Sequence, residues 1–173
     1  TVWASTQGNF SLRSQLASVL EVPSSQVKVV PVEVGGGFGG KLNSVLELPA
    51  VLLARKTGCP VKLVMSREEV LRASYPAPAT VITVKAGATA DGRLTAVAMR
   101  AVFDAGAFPV APVVAAYLTS LAPYKIPHLR LEGYEVVTNR PKIGALRAPG
   151  APQGAFAVES QMDLLAEKLN IDP

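Results

Sequence analysis

The sequence predicts an α+β fold, with helices packed against a mixed or antiparallel sheet in a single domain over residues 1–173. Three observations support this class. Runs of branched apolar residues are interspersed with segments of helical periodicity, an Asp-Gly pair separates two strand-like runs, and the chain closes with a long amphipathic segment. Strands and helices mixed with a hairpin are typical of α+β domains. A chain of 173 residues can bury about two-thirds of its unfolded surface.

The first half predicts two helices and two strands around a glycine-rich stretch. Apolar residues at helical spacing predict a helix over residues 10–20, and branched residues predict a strand over 27–34. Residues 46–56 indicate a second helix, because Glu47 suits its first turn and Gly58 its C-terminal cap. A short apolar run predicts a strand over residues 61–65.

The second half predicts a hairpin followed by helices and one further strand. Residues 79–88 and 94–103 flank Asp91-Gly92, which is a strong hairpin signal. A short helix is expected over 113–121 and a strand over 129–138. The last helix begins near Pro152. Its apolar stripe consists of Ala155, Val158, Met162, Leu165 and Leu169.

Composition argues against several classes of function. The net charge of +4 is spread without a basic run, which argues against nucleic acid as a partner. Cys59 and His128 are the only residues of their types, so no internal disulfide and no metal site built from His and Cys is expected. Any metal would arrive inside a cofactor. Residues 105–124 carry no charge, but three prolines interrupt them, which argues against a membrane span.

The glycine stretch "GGGFGGK" at residues 35–41 partly fits two nucleotide-binding patterns. It has the spacing of a P-loop, but Leu42 stands where a hydroxyl would bind magnesium. It also fits G-x-G-x-x-G, yet no acidic residue stands about 20 positions later to bind a ribose. Glycines around Phe38 allow the backbone to run close past a large or anionic group. A nucleotide-binding module and a noncatalytic assembly domain stay as alternatives.

Five motifs occur together in one order: "STQ" at 5–7, "GGGFGGK" at 35–41, "YKIP" at 124–127, "TN" at 138–139 and "LRAPGAPQGAFAVESQMD" at 146–163. In these motifs the chain resembles the molybdenum hydroxylases, which include xanthine dehydrogenase and aldehyde oxidase. The resemblance covers nearly the whole chain. It implies a molybdopterin-binding domain, as a fragment of a large subunit that would be inactive by itself.

The resemblance also implies a set of site residues. The cofactor-binding positions are Gln7, which would reach toward an oxygen ligand of the metal, and the loop residues Gly36, Gly37, Phe38 and Gly39. Arg147 would orient the substrate and stabilise negative charge on it, and the substrate pocket would include Leu42 and Arg147. The dithiolene sulfurs of the cofactor would hold molybdenum, so no side chain is expected as a direct metal ligand.

The implied reaction is the oxidative hydroxylation of a small molecule with oxygen from water. Electrons would pass to iron-sulfur clusters, with FAD as a further candidate carrier, and these groups would lie with the remainder of the large subunit or on other domains or subunits. Purine-oxidising members carry Glu where this chain has Leu42, so an aldehyde or an aromatic N-heterocycle of low polarity is favoured.

A cytoplasmic location is expected, with the periplasm as the alternative. The family's general-base glutamate has no counterpart among Glu33, Glu47, Glu132, Glu135 and Glu159.

Overall fold

The computed structural model describes all 173 residues as two compact units. The first unit comprises Thr1–Pro76 together with Ala145–Arg147. The second unit comprises Ala77–Gly144 and Ala148–Pro173. The expectation that residues 1–173 act as a single domain stays a prediction.

The first unit contains two very short strands and three helices. Its elements are β1 Val2–Ala4, α1 Asn9–Leu20, a 3-10 turn at Ser24–Gln26, β2 Val29–Pro31, α2 Glu47–Thr57 and α3 Arg67–Ala73. Strands β1 and β2 pair in parallel, with Val2 opposite Val29. The small core forms where α1 packs beside these strands. Its buried members are Ala4, Leu12, Leu16, Ala17 and Val27.

In the first unit the helix predictions are confirmed, one strand prediction is confirmed over three residues only, and the other is wrong. The helices predicted over 10–20 and 46–56 match α1 and α2 within one residue at each end, and Gly58 caps α2 in the left-handed conformation. The strand predicted over 27–34 shrinks to the three residues of β2, and the strand predicted over 61–65 is wrong because residues 60–66 pair with no other strand. Strand formation needs a partner, which a local apolar run cannot reveal.

Strand β1 and helix α3 were not predicted. Helix α3 did carry a sequence signal, since Ser66 and Glu69 form a capping box in which the Ser66 hydroxyl accepts from the Glu69 N–H. The Glu69 carboxylate accepts from the Ser66 N–H at 2.7 Å in return. A serine followed three residues later by glutamate is a recognised helix-start signature.

The second unit is a three-stranded sheet covered by two helices. Its elements are β3 Thr80–Ala88, β4 Leu94–Gly106, α4 Val113–Leu121, β5 His128–Val137 and α5 Ala151–Leu169. The strand order is β3-β4-β5, with β3 and β4 antiparallel and β4 and β5 parallel. The predicted hairpin, the helix over 113–121, the strand over 129–138 and the closing helix are therefore confirmed.

The core of the second unit lies on one face of the central strand β4. Side chains alternate between the two faces of a strand, and the residues of β4 that alternate toward the helices are fully or almost fully buried. Helix α4 contributes Ala116 and Tyr117 to this core, and helix α5 contributes Val158. The residues of β4 in this core are Val97, Met99, Ala101 and Phe103.

The combination of mixed sheet and packed helices confirms the α+β class. The uncharged segment 105–124 holds the end of β4, an irregular turn and all of α4, whose Ala116, Tyr117, Ser120 and Leu121 are buried. Part of its apolar character therefore serves the core of the second unit, whereas Phe108, Val110, Val114 and Leu118 are exposed. Among the helices, none has both the length and the apolar composition needed to cross a bilayer.

Candidate functional site

The glycine loop of the first unit joins β2 to α2 and follows an unusual backbone path. Gly36 and Gly39 have φ angles of 129° and 93°, and Phe38 between them has a φ angle of 51°. Two tight turns follow, in which Gly40 N–H donates to the Gly37 carbonyl at 2.8 Å and Leu42 N–H donates to the Gly39 carbonyl at 3.2 Å. A positive φ is easily reached only by glycine, which accounts for glycine at residues 36 and 39.

Four successive amides of this loop have no acceptor within the chain. The N–H groups of residues 35–38 donate to no protein atom, whereas the carbonyls of residues 37, 38 and 39 all accept hydrogen bonds. Side chains are absent from this stretch except for Phe38, which is exposed. A short series of unbonded backbone N–H groups is suited to an anionic or acceptor-rich ligand.

The Gln7 side chain lies directly on this loop. Its Oε1 accepts from the N–H groups of Gly39 and Lys41, each at 3.1 Å. A Cβ atom at position 37 would stand 2.3 Å from the same Oε1, so only glycine at residue 37 leaves room for the carboxamide. With Oε1 committed to two donors, the Nε2 group keeps two hydrogens that bond to no atom of the chain.

Lys41 connects the loop to all three residues of the "STQ" motif. Its Nζ donates to Ser5 Oγ at 2.9 Å, and its carbonyl accepts from Gln7 N–H at 2.9 Å and Thr6 Oγ1 at 3.3 Å. The Lys41 ammonium is half-buried and has no carboxylate within ion-pair distance. A P-loop lysine must reach a phosphate, whereas this ammonium binds a serine hydroxyl.

The segment Ala145–Arg147 also lies against the loop. Arg147 N–H donates to the Phe38 carbonyl at 2.7 Å, and a Cβ atom at Gly39 would stand 2.7 Å from the Ala145 carbonyl oxygen. The Arg147 side chain is exposed and forms no ion pair. Leu42 is also exposed, at the end of the second turn of the loop.

The fold therefore brings together residues that are far apart in sequence. Gln7 contacts the loop across 32 residues, and the backbone of Arg147 contacts Phe38 across more than one hundred. The roles predicted for these residues stay predictions. The contacts of Ser5 and Lys41 were missed, although both residues stand inside the motifs "STQ" and "GGK", because nothing in one motif indicates which residue of the other it binds.

Most of the glutamates considered as bases have structural roles. Glu47 accepts from Ser44 Oγ at 3.1 Å and from Val45 N–H at 3.0 Å. Glu159 accepts from the Tyr124 hydroxyl at 2.6 Å, and burial together with this hydrogen bond raises the pKa of Tyr124 to about 12. Glu132 forms an ion pair with Arg130, and Glu135 accepts from the Ala111 N–H.

The residues present fit a molybdopterin cofactor. The loop offers unbonded amide donors and lacks the Cβ atoms that would obstruct a bulky group, while Gln7 Nε2 offers a further donor. The half-buried Lys41 ammonium adds positive charge beside the loop. The chain contains no group of three or more His, Cys, Asp or Glu side chains that could hold a metal ion. This donor set suits a cofactor that brings its own metal ligands.

Comparison with known protein families gives a match over the entire chain. Residues 1–173 match the family described as the molybdopterin cofactor-binding domain. The chain is 39% identical to the nicotinate dehydrogenase large molybdopterin subunit of Eubacterium barkeri, covering 100% of this chain and 41% of that protein. It is 36% identical to the xanthine dehydrogenase molybdenum-binding subunit of Escherichia coli, covering 100% of this chain and 24% of that protein.

Solved structures show the same backbone arrangement. Quinoline 2-oxidoreductase from Pseudomonas putida 86 superposes with a TM-score of 0.88 at 31% identity, over 99% of this chain and 23% of that one. Aldehyde oxidoreductase from Desulfovibrio gigas superposes with a TM-score of 0.87 at 30% identity, over 99% of this chain and 19% of that one. The chain thus spans less than half the length of each of these relatives.

Proposed function

This chain belongs to the family of molybdopterin cofactor-binding domains, and on that premise we propose that it is part of a molybdenum-dependent hydroxylase acting on aldehydes or aromatic N-heterocycles. The observation that carries the proposal is the glycine loop with its four unbonded amides and the Gln7 carboxamide fixed beside them. A loop of this kind is complementary to a large acceptor-rich group.

Gln7 is proposed to donate a hydrogen bond to an oxygen atom of the cofactor. Its Oε1 is held by two backbone donors, so Nε2 is the atom left to face the ligand. A donor fixed in advance requires no reorganisation when charge develops on that oxygen during the reaction, and such preorganised contacts are worth about 3 to 4 kcal/mol in other enzymes.

Arg147 and Leu42 are proposed to line the substrate side of the site. The backbone of Arg147 is fixed to the loop through the Phe38 carbonyl, while its guanidinium is exposed and unpaired, which leaves its donors available to orient a substrate. Leu42 offers only hydrocarbon. A purine ring beside Leu42 would lose a hydrogen-bond partner, at a cost of about 1 to 3 kcal/mol.

When bound, the molybdenum cofactor would supply a two-electron oxidation in which the added oxygen comes from water. The electrons would leave through iron-sulfur clusters on other domains or subunits, with FAD as a further candidate carrier. Three of the relatives named above support the substrate class, since their names give nicotinate, quinoline and aldehydes as substrates. The fourth is named for xanthine, so a purine belongs among the substrates tested. The remainder of the large subunit is the proposed source of the general base.

The test uses the full-length subunit assembled with its partners. Molybdenum content and the rate of dye reduction are measured with an aldehyde, nicotinate, quinoline and xanthine, and incorporation of oxygen is followed in ¹⁸O-labelled water. The decisive variant is Gln7→Ala. Gln26→Ala is the matched control, because Gln26 is exposed in the 3-10 turn and its side chain bonds to nothing.

We expect molybdenum to be bound and the label to appear in the product. Gln7→Ala should lower kcat by about 100-fold to 1000-fold, as expected when one preorganised donor is removed, while Gln26→Ala keeps the activity of the unchanged protein. Protein that contains no molybdenum but binds ATP or NAD tightly would support the nucleotide-binding alternative. Full activity in Gln7→Ala would exclude the role proposed for this residue.

A further inference from the structure

Lys41 in the first unit forms hydrogen bonds in addition to those that close the two turns of the glycine loop. Its backbone N–H donates to Gln7 Oε1, its carbonyl accepts from two consecutive residues, and its ammonium donates to Ser5 Oγ. Ser5 Oγ in turn donates to the Glu33 carbonyl at 3.3 Å, just before the loop begins. Lys41 and Ser5 together thus join both ends of the loop to the segment that carries Gln7.

This arrangement determines where the two donors to Gln7 stand. The N–H groups of Gly39 and Lys41 converge on one oxygen atom only if the turn over residues 39–42 keeps its position beside residues 5–7. Backbone bonds hold the turn from within, and the Lys41 carbonyl joins it to Thr6 and Gln7. The Lys41 side chain adds a separate contact with Ser5, so the turn is fixed beside residues 5–7 at more than one point. A carboxamide that loses one of two donors can rotate and exchange the positions of its oxygen and nitrogen.

The partners of the ammonium also point to a specific role. No carboxylate lies within ion-pair distance of it, and Ser5 Oγ is the acceptor that it meets in the chain. A methionine at position 41 could fill similar space but could not donate this hydrogen bond, so the contact with Ser5 is what the lysine adds.

We propose that Lys41 is a positioning residue: through Ser5 it fixes the turn over residues 39–42 and thereby orients the Gln7 carboxamide toward the cofactor. The inference rests on the proposed function, since it takes Gln7 as the donor to the cofactor. It assigns to the lysine of the "GGK" motif a task that involves neither phosphate nor substrate. Ser5 acts in the same chain of contacts.

The test is a double-mutant cycle in the full-length enzyme. Lys41→Met, Lys41→Arg, Ser5→Ala, Gln7→Ala and the double variant Lys41→Met/Gln7→Ala are compared for kcat, KM, molybdenum content and the electron paramagnetic resonance spectrum of the partly reduced enzyme. Lys62→Met is the control, because Lys62 is exposed in the first unit and its side chain forms no hydrogen bond.

Lys41→Met is expected to lower kcat by about 10-fold to 100-fold, the usual effect of removing an outer partner of a metal site, with molybdenum content unchanged. Its spectrum should change in the same way as that of Gln7→Ala. The double variant should be no slower than Gln7→Ala alone, because Lys41 acts only through Gln7. Lys41→Arg should recover part of the activity, and Ser5→Ala should show a smaller loss of the same kind.

Three results would overturn the proposal. Losses that multiply in the double variant would mean that Lys41 acts independently of Gln7. Loss of molybdenum in proportion to activity would mean that Lys41 holds the cofactor instead of positioning Gln7. Activity equal to that of Lys62→Met would mean that Lys41 has no role.

If Lys41→Met does not fold, Ser5→Ala decides the question, since it removes the same contact and keeps the charge. If Gln7→Ala had the activity of the unchanged enzyme, that result would instead argue against the proposed function.

Discussion

The two units of this chain are stabilised by different means. The second unit has strands of nine, thirteen and ten residues, and its helix α4 buries four side chains. The first unit has two strands of three residues, and its helices α2 and α3 have no fully buried residue. In the first unit burial is less extensive, and a network of hydrogen bonds surrounds the glycine loop.

The difference shows what a cofactor-facing region requires. Unbonded amides, left-handed backbone and short polar contacts make the loop receptive to a ligand, but none of them stabilises a fold strongly. Burial of apolar surface is the larger source of stability, and the second unit has more of it. The comparison therefore predicts that substitutions in the core of the second unit have large effects on folding. Substitutions in the loop of the first unit should instead affect ligand binding.

The largest effect is expected from truncation in the second core. Phe103 on β4 is fully buried, so Phe103→Ala should lower the free energy of unfolding by about 3 to 5 kcal/mol. Phe156→Ala is the control, because Phe156 on α5 is 78% exposed. Urea denaturation followed by circular dichroism measures both. If both variants lowered the free energy of unfolding by the same amount, this core would not be the main source of stability.

A smaller and more local effect is expected at the loop of the first unit. Gly39→Ala forces a left-handed backbone on alanine and drives its Cβ against the Ala145 carbonyl, at a cost of about 1 to 3 kcal/mol. Gly35→Ala is the matched control, because no atom stands within 4 Å of its added Cβ. Urea denaturation and molybdenum content of the full-length protein are the measurements. Gly39→Ala should lose molybdenum, and retention equal to that of Gly35→Ala would contradict the role of the loop.

The smallest effect concerns a polar contact at the end of β4. The Thr138 hydroxyl, the Gly106 N–H and the Arg140 guanidinium all favour the ionised form of Asp104 and lower its pKa. A lowered pKa in the folded state gives stability that is present above the ordinary pKa of aspartate, about 3.9, and is lost as the pH falls below it.

Replacement of Asp104 by asparagine should therefore matter more at neutral pH than in acid. The unfolding midpoint of Asp104→Asn should lie below that of the unchanged protein at pH 6, and the two should converge as the pH approaches 3. Asp172→Asn, which changes an exposed residue near the chain end, serves as the control. A difference that stays constant over this pH range would show that the ionised carboxylate of Asp104 contributes nothing specific.

Elements whose signals are local could be predicted from sequence. The hairpin at Asp91-Gly92, the cap of α2 at Gly58 and the start of α5 near Pro152 all depend on residues close to one another in the chain. Strand β1 and the short extent of β2 could not be predicted, because three-residue strands carry little pattern and exist only through their partner.

The sequence by itself determined the α+β class, the family resemblance and the positions where glycine permits an unusual backbone. Tertiary structure alone decided that Gln7, the glycine loop and the backbone of Arg147 meet, and that Lys41 binds Ser5. The physical reason is separation along the sequence. Helix and strand propensity and turn chemistry act between residues a few positions apart, whereas these hydrogen bonds join residues separated by 32 positions or more. Which donor meets which acceptor at that distance is settled only when the whole unit folds.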